Sequence, residues 1–385
     1  MQNRTSQQKK ILLVHLVSNG DCLYVTAVAR QIKLDYPGCE LTWIISNLAS
    51  QVLRNNQFVD VVEIWPVKSV REAMFSSWYA LKESLKLSGA ESKYDHIFST
   101  QFFPHNAHFF DGTIRSTLLR SYPHKIKDVT PHIHLTAGEI SNAADFAARY
   151  QLKQYSKIVM FECTPGSGQS FITPDIAVQI SEQLLDIYPD MVIVLSTHLN
   201  LPVQHERIIV ANTISFRENA ELAKYCNLFI GTSSGITWLL TSDWLKEPIS
   251  SIQLLSRAKG ISFASVRYDF KYWGLPHNHI VEIFTPEVSR VIDCVNLFYE
   301  KGMPACITQY NEAVKPDPIF IKDYFNIVAK RKNLSLLFGL FRNFADRNGF
   351  SLRLMFAFCY IYIQGMIRIP YVLFLKQKNA DQIKF

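Results

Sequence analysis

The chain has 385 residues, 48% of them hydrophobic, with no linker-like or low-complexity tract, which fits two globular domains with real cores. Its formal net charge is +7, but residues 321–385 hold eleven Lys and Arg against three Asp, so this tail is +8 and the first 320 residues sum to −1. A body so close to neutral excludes a nucleic-acid platform spread over the protein, and no nucleic-acid partner is expected.

The amino terminus, MQNRTSQQKK, is polar and lacks the apolar core of a signal peptide, so secretion is not expected. Residues 11–17 form a short apolar run closed by a turn signal and predict a buried strand. Residues 22–36 place Val25, Val28, Ala29, Ile32 and Tyr36 near one helical face, and Pro37-Gly38 stops that helix. Strands follow at 40–46, 59–64 and 95–100, with helices at 48–55, 69–87 and 113–120. After a helical stretch at 136–155 a second series begins. It has strands at 157–162, 191–196, 208–210, 228–230 and, last, 250–255, with helices at 175–187, 219–226 and 236–242. Strands alternating with helices predict parallel, doubly wound sheets. The expected plan is α/β, with two Rossmann-like domains over 1–150 and 151–320, a cleft between them, and a basic tail over 321–385. Ligands of open α/β sheets bind beyond the carboxyl ends of the strands. Three segments fall there, at 18–21, 164–170 and 232–235.

GTSSG at 231–235 leaves a strand and enters a helix. Unpaired helix-start amides and the hydroxyls of Thr232, Ser233 and Ser234 suit an anion, and Gly235 lets it approach. The same residues would serve as an ordinary capped turn. CTPGSGQS at 163–170 is a second hydroxyl- and glycine-rich loop after a strand. It supplies Thr164, Ser167, Gly168, Gln169 and Ser170, and two such loops suit a diphosphate held from two sides. Asp21, at the start of a helix, either caps it or serves a hydroxyl nucleophile as general base, and the two roles can coexist. His105, His108, His132 and His134 have spacings that could bind metal, yet no Cys or Asp pattern accompanies them, so surface or acceptor-lining roles are preferred and no metal is expected. Cys22, Cys39, Cys163, Cys226, Cys294, Cys306 and Cys359 are scattered and odd in number. That fits a reducing compartment rather than a disulfide framework.

The opening segment, ILLVHLVSNGDCLYVTAVARQIKLDYPGCELTWI, resembles glycosyltransferase family 9, which includes the ADP-heptose:lipopolysaccharide heptosyltransferases. Ser18, Gly20, Asp21, Tyr36-Pro37-Gly38, Trp43 and Val59-Asp60 sit where that family has its Ser-x-Gly-Asp turn, Tyr-Pro-Gly helix end, strand Trp and Val-Asp run. CNLFIGTSSGITWLLTS and VMFECTPGSGQSFIT look like its two donor-site segments, and the likeness covers residues 10–255. The resemblance implies a GT-B fold, with acceptor on the first domain and nucleotide-sugar on the second. It implies inverting transfer to lipopolysaccharide or another surface glycan, with Asp21 as the base. The nucleotide-sugar is a co-substrate, and no cofactor is implied. Ser233, Ser234 and Gly235 match the loop that meets the donor diphosphate; Ser18, Asn19, Gly20 and His105 are the candidate acceptor contacts. The chain departs from the family pattern in three ways. Ser233 stands in place of an Asp, Trp238 in place of a His, and residues 164–173 contain no Lys.

In the tail, Leu334, Leu337, Phe338, Phe341 and Phe344 share one helical face, flanked by Arg331, Lys332, Arg342 and Arg347. This is the pattern of a helix lying in a membrane interface. Residues 354–375 are almost wholly apolar, but Arg368 and Pro370 disfavour a span. Interfacial or re-entrant attachment to anionic lipid is preferred, with core helices packing back on the first domain as the alternative. The sequence therefore reads as a cytoplasmic glycosyltransferase, peripheral on the inner face of the cytoplasmic membrane, acting on a glycan or glycolipid acceptor. A nucleotide-sugar epimerase and a non-catalytic scaffold of the same fold are the rivals.

Overall fold

The computed structural model describes residues 8–102, 106–257, 265–314, 334–360 and 363. Two parallel sheets organise them. The first contains β1 Lys10–Val14, β2 Glu40–Ser46, β3 Val61–Trp65 and β4 His96–Ser99, in the order β3-β2-β1-β4. The second contains β5 Lys157–Glu162, β6 Met191–Ser196, β7 Ile208–Val210, β8 Leu228–Gly231, β9 Ser250–Leu254 and β10 Ile280–Ile283, in the order β10-β9-β8-β5-β6-β7. Each sheet starts near its middle, grows to one side, then returns to grow on the other. The strands that begin each series read as unbroken apolar runs because helices cover both faces. Ile11–Val14 and Met191–Leu195 are buried throughout.

The helices are α1 Asn19–Asp35, α2 Val70–Met74, α3 Ser76–Leu87, α4 Ala90–Lys93, α5 Ile114–Arg120, α6 Ala137–Arg149, α7 Pro174–Ile187, α8 Glu218–Leu222, α9 Gly235–Leu240, α10 Val266–Trp273, α11 Val288–Lys301, α12 Met303–Tyr310 and α13 Leu334–Asn348. Several differ from the sequence reading. The helix expected over 69–87 is interrupted at Phe75, and that over 48–55 is a single tight turn, Ser50–Leu53. The strand expected over 11–17 stops at Val14, and Leu16 N–H then turns to Gln101 Oε1 at 3.0 Å. The strand at 250–255 is not the last: α10 follows, and β10 pairs with β9, Ile280 opposite Ser251. Within 1–150, α6 lies with the second sheet, because Phe146 and Ala147 pack with Ile158, Val192 and Val194.

Two buried ionic clusters fasten the halves together. Arg217 donates to Glu139 through Nε (2.6 Å) and Nη2 (3.0 Å), to the carbonyl of Gln51 (3.1 Å) and to that of His134 (2.7 Å). Burial raises the Glu139 carboxyl, but Arg217 and Thr136 outweigh it and hold the group at about 2. The second cluster corrects the reading of the tail. α13 returns to the first domain, where Leu337, Leu340 and Phe344 share a core with Phe102, Phe110 and Leu118. Leu337 and Phe344 therefore face protein, whereas Phe338, 63% exposed, does not. Arg347 does not flank a membrane face: its side chain is 1% exposed. Its Nη1 lies 3.0 Å from both carboxylate oxygens of Asp111, Nη2 donates to the Tyr268 carbonyl (2.9 Å), and the guanidinium stacks on Tyr268 and Tyr272. Asp269 joins this cluster, accepting from Thr113 (2.9 Å) and Arg115 (3.2 Å). Residues 361, 362 and 364–385, and with them most of the expected 354–375 segment, lie outside the described residues. Among those described, no helix is long and apolar enough to cross a membrane.

Removing one partner of a buried ion pair strands the other and costs about 3–5 kcal/mol. Arg347→Ala should lower the stability measured by urea unfolding by that much. Arg342→Ala, on the same helix but 80% exposed, should change it by less than about 0.5 kcal/mol.

Candidate active site

A cleft of about 660 Å³ runs between the start of α1 and the carboxyl ends of the second sheet's strands. Asp21 stands on its first-domain wall. The helix cap is not Asp21 but Ser18, whose Oγ accepts from Asp21 N–H at 3.5 Å, and Asp21 is the third residue of α1. Its carboxyl is thus spared from capping and lines the cleft. Burial pushes its pKa from the ordinary 3.8 up to about 7, partly opposed by the Ser18 hydroxyl. Ser18 (φ 29°) and Ser233 (φ 52°) both occupy the positive-φ region on the lip of the cleft. Such backbone costs of order 1–3 kcal/mol for a residue with a side chain and gathers at functional sites.

α1 and α9 meet end to end, and two glycines allow it. A Cβ on Gly20 would lie 3.0 Å from Trp238 Cδ1, and one on Gly235 would lie 3.1 Å from Phe216 Cε2 and 3.6 Å from Gly20 N. The Trp238 ring, at the position where the resemblance places a His, packs 4.8 Å from that of Tyr24.

On the opposite wall, β5 and β8 are neighbours at the point where the winding of the sheet reverses. The loops that leave them form the donor-side candidates. Thr164, Ser167, Gln169, Ser233, Ser234 and Gly235 line the cleft, as do Ser18, Asn19 and Gly20 across from them. Gly168 makes the turn of its loop at φ +65°, and Ser170 donates to the Leu254 carbonyl, fastening the loop to β9. Thr232 is fully buried beneath the surface of the cleft. His105 lies outside the described residues. His132 Nδ1 pairs with Asp243 at 2.6 Å and the His134 carbonyl accepts from Arg217, so both serve the domain connection.

Sequence reasoning missed Glu162, Arg115 and Asp269. Glu162 ends the apolar run KIVMF at the mouth of the cleft, and a carboxylate there was a readable signal. It accepts from Thr232 Oγ1 (2.7 Å) and from Ser234 Oγ. Arg115 and Asp269 pair with each other at 3.2 Å and share the cleft wall. Arg115 is the one arginine among the described lining residues, and no lysine is among them. Among the described residues, no three His, Cys, Asp or Glu converge into a metal site.

Two doubly wound α/β domains, a cleft at their strand ends and a carboxy-terminal helix returning to the first domain make this a GT-B-like fold. No family model and no curated protein matches the sequence. Among solved structures, a family 9 glycosyl transferase from Veillonella parvula aligns at 14% identity with a TM-score of 0.51, over 77% of this chain and 93% of that one. E. coli ADP-heptose LPS heptosyltransferase II aligns at 15% identity and TM-score 0.49 over 76% and 99%. A putative UDP-N-acetylglucosamine 2-epimerase from Listeria monocytogenes aligns at 11% and 0.46 over 79% and 91%.

A carboxyl that titrates near 7 when folded and near 3.8 when unfolded binds more protons in the folded state, so stability falls as pH rises between those values. Asp21→Asn removes that loss. The melting temperature of Asp21→Asn relative to the wild type should therefore climb from pH 5 to pH 8, by the equivalent of about 2–4 kcal/mol. An unchanged gap would mean that the carboxyl is not held in its cleft.

Proposed function

We propose that this protein is an inverting, metal-independent glycosyltransferase that moves a sugar from a nucleotide-sugar to a lipopolysaccharide or other surface-glycan acceptor. The observation that carries the reading is Asp21. It is a carboxyl freed from helix capping, raised to about 7, and set across a 660 Å³ cleft from two hydroxyl-rich loops. A general base works best when its pKa lies near the working pH. Asp21 takes the proton of the acceptor hydroxyl as that oxygen attacks the anomeric carbon from the face opposite the leaving group. The bond to the diphosphate breaks, and the negative charge that develops there meets the Ser233 and Ser234 hydroxyls, which line the cleft. The solved family 9 structure shares this fold and is compatible with the reading, but the fold hosts other chemistries too, so the argument rests on the site.

The same reading places the protein at the inner face of the cytoplasmic membrane, where a glycolipid acceptor is found. Phe338 on α13, Phe350 in the link after it, and Leu352, Phe356 and Tyr360 on the helical stretch 352–360 are each exposed. Exposed aromatics beside a basic tail suit an anionic lipid surface.

The test incubates the protein with a panel of nucleotide-sugars and rough lipopolysaccharide or lipid-linked glycan acceptors. Transfer should rise through pH 7 to a plateau, and Asp21→Asn should lower kcat by about 10²–10⁴-fold while still binding nucleotide. An altered sugar nucleotide formed without acceptor would identify an epimerase instead, and folded protein that binds no nucleotide would identify a scaffold. In vesicle flotation, Phe338→Asp and Phe356→Asp together should release the protein from vesicles containing phosphatidylglycerol. Equal flotation of wild type and variant would overturn the membrane assignment.

A further inference from the structure

Glu162 is the one cleft group whose chemistry opposes the ligand proposed for it. It sits 3% exposed at the end of β5, beneath a turn that would hold a diphosphate. An ionised carboxylate only accepts hydrogen bonds. It then consumes the protons of both hydroxyls that reach it, Thr232 Oγ1 at 2.7 Å and Ser234 Oγ. Ser234 Oγ also receives Ile236 N–H at 3.2 Å, so in that state it has no proton left for the cleft. A neutral Glu162 behaves differently. It accepts from Thr232, which is wholly buried and has no other route, and donates its own proton to Ser234 Oγ. The Ser234 proton then turns into the cleft. Beside it, Ser233 Oγ is buried and has no hydrogen-bond partner, so a second hydroxyl awaits an acceptor at the same spot.

We propose that Glu162 is the positioning residue of the donor half of the cleft: it sets the direction of the Ser234 hydroxyl, so that a nucleoside diphosphate binds together with one proton taken from solvent onto the Glu162 carboxylate. This rests on the nucleotide-sugar reading above and deepens it. No bond other than the new O–H forms or breaks. Burial favours the neutral acid, against the Ser234 and Thr232 hydroxyls and the Thr232 backbone amide that favour the ion, and the net direction is upward. The charged and titratable groups that share the cleft are Asp21, Tyr24, Arg115, His198 and Asp269, with Cys163 next to Glu162 on the chain. Arg115 is already paired with Asp269, so among the described residues the cleft offers a diphosphate no unpaired guanidinium. A neutral carboxyl acting through Ser234 supplies a donor where the loops carry no lysine.

The experiment is isothermal titration of the full chain with ADP and with UDP from pH 6 to 9, in buffers of differing ionisation enthalpy. Wild type, Glu162→Gln and Asp21→Asn are compared, so the nucleotide's own titration cancels. Wild type should take up a proton on binding wherever Glu162 is ionised in the free protein, and across that range its affinity should fall up to tenfold per pH unit relative to Glu162→Gln. The glutamine amide holds both hydroxyls as the neutral acid does, so Glu162→Gln should bind at least as tightly and take up no proton at this position. Asp21→Asn should keep the uptake. Equal uptake in wild type and Glu162→Gln, or its loss in Asp21→Asn alone, overturns the inference and leaves the donor reading standing. Folded protein that binds neither these nor any other nucleoside diphosphate overturns both. If Glu162→Gln does not fold, wild type and Asp21→Asn decide, since binding without proton uptake by either at any pH from 6 to 9 contradicts the assignment.

Discussion

Arg347 reaches from α13 into a site built by both domains. Asp111, Thr113 and Ser116 come from the first, and Tyr268 and Asp269 from the second. Charges removed from water are costly, and such a cluster persists only when its hydrogen-bonding groups are nearly all used. Asp269 binds Arg115 in turn, and both line the cleft. The shape of one cleft wall is therefore held by a side chain from the tail. Arg217, held by Glu139 of α6, performs a matching task by donating to the Gln51 carbonyl of the first domain. Between them the two clusters make the cleft a fixed feature of one assembly.

The charge inside that cleft is unusual for a site that would receive a diphosphate. Among the described residues, Asp21, Glu162 and Asp269 share the cleft with a single arginine, which is already engaged. Two of these acids are raised by burial, Asp21 to about 7. Under the donor proposal, protonated carboxyls and hydroxyls would take the place that fixed cations hold elsewhere, a form of preorganised polar surroundings.

Much of this could be read in the chain. Buried parallel strands leave long apolar runs, so nearly all of β1 to β9 were visible, and Gly20-Asp21 after the first run marked one lip of the cleft. What escaped has physical reasons. β10 is only four residues at a sheet edge, yet Ile280-Val281 and Ile283-Phe284, bounded by Pro276 and Pro286, carried a strand signal that went unread. Phe75 breaks a helix whose composition favours continuity. An apolar stripe says that something covers it but not what: Leu337 and Phe344 met the first domain, while Phe338 kept its exposure. Arg347 looked like a flanking charge because its partner, Asp111, is 236 residues away. Glu162 was the other avoidable omission, an acid closing an apolar strand at the site already under discussion.

The close meeting of Gly20 and Gly235 has an evolutionary consequence. A side chain at Gly20 would press on Trp238 and one at Gly235 on Phe216, so the two positions and those two rings form one spatial constraint along the seam. A side chain accepted at one would be tolerated only after compensation at Trp238 or Phe216, the atoms it would strike. Substitutions at such touching positions do not add independently. Divergent relatives that widen or narrow this gap are expected to change these four residues as a set, and the width of the seam between the helix starts would be inherited as a single trait.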